Sequence, residues 1–139
     1  MRLAPEVRAF RARSNHQANL FLLVMTDGDR LGVLKRKSSF DAQLKAEGLR
    51  ERSAQEKIVY LVPTWSIETW LIWLCNQEGR FPEFGEANAY RDHSTYTALC
   101  GRDGITSKLA SANWPEVRTL ELPTVPSLSD ARLELKRIP

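Results

Sequence analysis

The chain has 139 residues, of which 42% are hydrophobic and 27% charged, with a formal net charge of +3. Those values predict one globular domain spanning residues 1–139, large enough for a core and too small for two. No apolar run approaches the roughly 18–20 residues of a membrane span, and Met1 to Glu6 holds no apolar segment of the secretory kind. A cytoplasmic protein with no membrane partner is the expectation. Cys75 and Cys100 do not form a metal-binding spacing and read as buried thiols of a reducing compartment.

Pro5 to Gln17 carries Val7, Phe10 and several arginines, and predicts a short basic helix. Leu20 to Thr26 predicts a strand, apolar enough to be buried on both faces as in the middle of a parallel sheet. Leu31, Leu34, Phe40, Leu44 and Leu49 then fall at mostly helical spacings, with Gly48 as a stop. Ile58 to Val62 is a second β-rich run, ended by Pro63. Strand, helix, strand in that order predicts a βαβ unit with parallel strands and a right-handed crossover. Ser66 is the expected N-cap of a strongly apolar helix containing Trp70 and Trp73. Residues 79–104 read as loop, and Thr106–Ala112 and Ser127–Ile138 as short helices. In the second of these, Leu128, Leu133 and Leu135 are the expected buried points. There is no internal repeat and no low-complexity tract.

The chemistry-bearing segment is Phe21-Leu22-Leu23-Val24-Met25-Thr26-Asp27-Gly28-Asp29-Arg30, an apolar run ending in two aspartates around a glycine. Open α/β folds keep their ligands beyond the carboxyl ends of the strands. Asp27 and Asp29 would there serve a hard cation, Mg²⁺ or Mn²⁺. Two plainer readings stand beside this one: an aspartate after a strand can cap the next helix, and Asp-Gly is a common turn dipeptide. Glu68, in the first turn of the helix after the second strand, should face the same sheet edge. A first-turn acid is also favoured by the helix dipole alone. A Walker-type nucleotide hydrolase is excluded, because the chain has no Gly-rich Gly-Lys-Ser/Thr loop.

Residues 1–57 hold twelve Lys and Arg against seven acids, as a surface facing a polyanion would, although a solvated helix face explains any one of them equally well. Trp70 and Trp73 share a face with Ile67 and Leu74 and read as core, whereas Trp65 is expected near the site and Trp114 in a loop. His16 and His93 have no second histidine at ligand spacing and are given no role. Asp103-Gly104-Ile105 with Lys108 has a nuclease-like spacing without the strand it would need.

Thr26-Asp27-Gly28-Asp29, Arg36, the Leu61 to Trp70 run with its Ile67-Glu68-Thr69-Trp70, and Pro126-Ser127-Leu128 together resemble small bacterial TOPRIM-like proteins related to the nuclease half of OLD-type systems. The similarity spans most of residues 5–137. It implies a small TOPRIM-like parallel sheet flanked by helices, and an Mg²⁺- or Mn²⁺-dependent nuclease or nuclease subunit. In such a site Asp27, Asp29 and Glu68 would be the catalytic metal ligands, with Arg30 and Arg36 on phosphate. The implied partners are nucleic acid, DNA ahead of RNA, an ABC-type ATPase in phage defence, and a second copy of the chain. The sequence departs from the TOPRIM pattern in lacking the upstream strand that ends in glutamate. Glu6, the only acid before Asp27, lies in a helix pattern and is not assigned that role. The alternative implied is a catalytically inactive TOPRIM-like module that binds a partner protein or nucleic acid.

Overall fold

Two strands, β1 (Leu22–Met25) and β2 (Ile58–Leu61), pair in parallel with Leu22 opposite Ile58 and Met25 opposite Leu61. The computed structural model describes residues 2–75 and 125–138. Its helices are α1 (Leu3–Ser14), α2 (Gly32–Ala46), α3 (Ile67–Cys75) and α4 (Pro126–Leu135). The architecture is mixed α/β, with helices on both faces of the small sheet. The expected strand, helix, strand order with parallel strands is present. The segments expected as a loop at 79–104 and a helix at Thr106–Ala112 lie outside the described residues, as do His93, Cys100, the Asp103 motif and Trp114.

Alternation along β2 feeds both faces, and all four of its residues are buried. Ile58 and Tyr60 join Val24, with Leu3, Val7 and Phe10 of α1 and Phe40 and Leu44 of α2, in one core. Val59 and Leu61 join Trp70, Trp73 and Leu74 of α3 and Leu128 and Ala131 of α4 in the other. Both tryptophans are therefore core, as their spacing predicts.

β1 departs from its expectation. It is shorter than Leu20–Thr26, and only one of its faces is covered: Leu23 and Met25 are 44% and 40% exposed, and Phe21 just before it 47%. The register explains this. Leu23 and Met25 lie beside Val59 and Leu61 on the face where α3 and α4 pack, and those helices bury β2 without reaching over β1.

Helix ends also differ from the pattern. The first helix runs from Leu3 to Ser14 rather than Pro5 to Gln17, and Pro5 sits in its first turn, where N–H groups have no partner within the helix. Leu31 and Leu34 face water, so α2 is held by Phe40 and Leu44 alone among its apolar positions buried outright. Gly48 stops the chain as expected. At φ 70° it lets its own N–H reach Lys45 O at 3.0 Å and that of Leu49 reach Leu44 O at 2.8 Å, a Schellman closure.

In α4 the expected buried Leu133 is 59% exposed, and its neighbour Glu134 is buried instead. Odd-numbered carbonyls of β2 and its flank accept from β1, as in Leu22 N to Lys57 O and Thr26 N to Leu61 O, so the even residues present their polar groups to the far edge. There Arg52 and Glu134 take a strand's place. Arg52 Nη1 donates to Ile58 O at 3.0 Å, Glu134 Oε2 accepts from Tyr60 N at 3.2 Å, and the two side chains form a two-pronged ion pair. Lys37 Nζ lies 2.7 Å from Glu134 Oε1 and 2.9 Å from Asp130, and Arg137 Nε lies 3.4 Å from Glu134 Oε2. Burial pushes the Glu134 carboxyl up, but the hydrogen bonds from Arg52, Lys37 and Tyr60 N, with the Arg52 charge, outweigh it and hold it at about 2. Arg52 also stacks on the Tyr60 ring, 3.9 Å from its centroid.

Candidate functional site

The loops leaving β1 and β2 are laced together at the carboxyl ends of the two strands. Gly28 N donates to Pro63 O at 2.9 Å, and Asp29 N to Trp65 O at 2.9 Å. Asp29 and Trp65, which form this isolated bridge, both have positive φ, 46° and 62°. For an aspartate that is tolerable; for a tryptophan it is an outlier that persists only because the surroundings enforce it. Gly28 is there for space: a Cβ on it would meet Pro63 O at 2.7 Å.

Asp27 Oδ1 accepts from the backbone N–H of Ile67, the first residue of α3, at 3.1 Å. The helix is thus capped by a carboxylate from 40 residues earlier in the chain. Ser66, the expected cap, is buried, and its hydroxyl has no hydrogen-bond partner among the described residues. The helix Asp27 caps is α3 and not α2, the next helix in the chain, and the cap brings its carboxylate to the first turn of the helix that bears Glu68. Removing the cap by Asp27→Ala should cost about 1 kcal/mol in thermal or urea unfolding, whereas Asp27→Asn keeps an acceptor oxygen and should cost less than half of that.

Asp29 is half-exposed, and its Oδ2 accepts from Arg36 Nη2 at 3.0 Å. Arg36 Nε is buried and has no hydrogen-bond partner among the described residues. Glu68 is partly buried, with no ion pair or side-chain hydrogen bond among the described residues, and Arg30 is exposed. The carboxyl edge therefore carries all five expected site residues on three segments that meet there. It does not gather three carboxylates around one point: among the described residues no group of three His, Cys, Asp or Glu side chains is placed to hold an ion. Oxygen donors suit Mg²⁺, which is commonly held by one or two carboxylates and keeps several waters. The donor type is that of a hard cation, but the three carboxylates expected as ligands do not form a ligand set among the described residues.

No family model matches the chain, and neither does any curated protein or solved structure. No helix among the described residues is long and apolar enough to cross a membrane.

The basic half is more internally neutralised than its composition suggests. Of the twelve cations before residue 58, Arg8, Arg11, Arg36, Lys37, Lys45, Arg50 and Arg52 are in ion pairs. Lys57 donates to Ala18 O at 2.7 Å. Arg30 and Lys35, at the turn into α2 and in its first turns, are exposed.

Proposed function

We propose that the chain is a TOPRIM-like nuclease or nuclease subunit that uses Mg²⁺ or Mn²⁺ to cleave phosphodiester bonds in nucleic acid. The observation that carries this reading is the lacing of the Asp27-Gly28-Asp29 loop to the start of α3 at the carboxyl ends of parallel strands. Strained backbone at Trp65 supports it, since such strain gathers at functional sites. On this reading Asp27 and Asp29 would hold the cation, and Glu68 would be the group orienting the attacking water. A cation held there would supply Lewis acidity toward a phosphate oxygen and a lowered pKa for water. Arg30, exposed beside the aspartates, offers a guanidinium to the phosphate backbone, which fixes register without reading sequence. A cytoplasmic setting and an ATPase partner in phage defence belong to the same reading.

The rival reading, a non-catalytic module, is favoured by the Arg36 to Asp29 ion pair and by the exposed apolar residues Phe21, Leu23 and Met25 on β1, which suit a protein partner. Nicking of supercoiled plasmid in Mn²⁺ separates the two. Wild type should nick, and Asp27→Asn and Glu68→Gln should each lose at least about a hundredfold in rate, as expected for removal of a group that stabilises charge in the transition state. A wild type that neither nicks nor gains thermal stability from Mn²⁺ leaves the module reading in place.

A further inference from the structure

We infer that two copies of this chain join through β1, antiparallel about a twofold axis at Leu23, into one four-stranded sheet. The joint needs neither a cation nor nucleic acid. Among the described residues the sheet has two strands, so one edge of β1 has no neighbouring strand. Leu22 N and Thr26 N donate toward β2 and its flank. By the alternation of a parallel ladder, Leu23 and Met25, with Phe21 before them, turn their N–H and C=O groups to that open edge. These three are also the exposed apolar side chains of the segment. From Leu20 to Met25 there is no charged residue and no proline, the usual guards of an exposed strand edge.

The occupant is a second copy because this edge is complementary to itself. With the axis at Leu23, the residues that exchange backbone hydrogen bonds all come from the outward-facing set: Leu23 with the partner's Leu23, and Phe21 with the partner's Met25. Side chains of such pairs stand on one face, so the exposed residues of both copies merge into one apolar patch. Within it a thioether meets an aromatic ring, itself a favourable contact. Moving the axis to Val24 would instead set Phe21 against the partner's Asp27. Charge favours the same orientation. Lys57 lies at the amino end of β1, its Nζ 2.7 Å from Ala18 O, and Asp27 and Asp29 follow the carboxyl end. Antiparallel pairing brings the acids of each copy toward the lysine of the other, whereas parallel addition sets acid beside acid. The far edge of β2 offers no such joint, because Arg52 and Glu134 already engage its polar groups. A twofold contact uses the same patch on both copies and closes at two.

Sedimentation velocity across a concentration series tests this on wild type, Leu23→Lys, Leu23→Pro and Leu34→Lys. Wild type should sediment as a dimer. Leu23→Lys sets like charges across the axis and should weaken that dimer at least about tenfold. Leu23→Pro removes an N–H that faces the open edge and spares the ladder to β2, so it should weaken the dimer while circular dichroism stays that of wild type. Leu34→Lys, a charge on an exposed leucine of α2, should leave the dimer unchanged. Oxidation of Leu23→Cys should trap a disulfide-linked dimer beyond any formed by wild type, which has Cys75 and Cys100 alone, since Cα atoms paired in this way lie about 5.5 Å apart. A monomeric wild type overturns the inference, as does a dimer that survives both Leu23→Lys and Leu23→Pro. A dimer weakened equally by Leu34→Lys, or one in which Leu23→Cys does not cross-link, overturns the joint at Leu23.

Discussion

Replacing Glu134 with alanine is expected to destabilise the fold by about 3–5 kcal/mol, the cost typical of removing one partner from a buried ion pair. The change leaves Arg52 buried without its carboxylate, takes from Lys37 one of its two carboxylate partners, and leaves Tyr60 N–H at the far edge of β2 without an acceptor. Urea unfolding at neutral pH measures it, and a loss below about 1 kcal/mol would show the network to be expendable. The acid limb gives a second reading. A carboxyl held at about 2 against an ordinary 4.5 adds stability that is fully present above the ordinary value. It is lost as pH falls from there through the folded one. Glu134→Gln should therefore differ most from wild type above pH 5 and converge with it toward pH 2.

Gly28→Ala should be the most damaging small change at the carboxyl edge. Its methyl group would lie 2.7 Å from the Pro63 carbonyl, a backbone atom with no freedom to swing away. Opening that contact breaks Gly28 N to Pro63 O and loosens Asp29 N to Trp65 O. An overpacking cost of about 1–3 kcal/mol is expected, seen as a lower urea midpoint. The same variant should lose Mn²⁺ binding although every proposed ligand is intact, because the aspartates and α3 are no longer held together. Wild-type Mn²⁺ affinity in Gly28→Ala would show that the lacing is incidental to the site.

Local pattern made much of this fold legible. The apolar runs marked both strands, their spacing implied a crossover helix and so a parallel pair, and Gly48 marked where that helix ends. Trp70 and Trp73 declared themselves core by sharing a helix face. What escaped the sequence was decided by partners distant in the chain. Nothing near Asp27 says that it caps a helix 40 residues later in place of Ser66, which stands at the expected position. Glu134, in a helix of mixed polarity, looks like a solvated residue. Only the approach of Arg52, 82 residues earlier, turns it inward. The second face of β1 was misread because an apolar strand says what could be covered, and the reach of α3 and α4 decides what is.

The Arg52 and Glu134 side chains imitate a neighbouring peptide at the outer margin of β2, one offering donors and the other acceptors. Any extra strand, from this polypeptide or another, is thereby barred from that side and must enlist beyond β1. Growth of the sheet is in this sense polarised: a salt link acts as its terminus, and recruitment falls to the flank that also carries Leu23 and Met25.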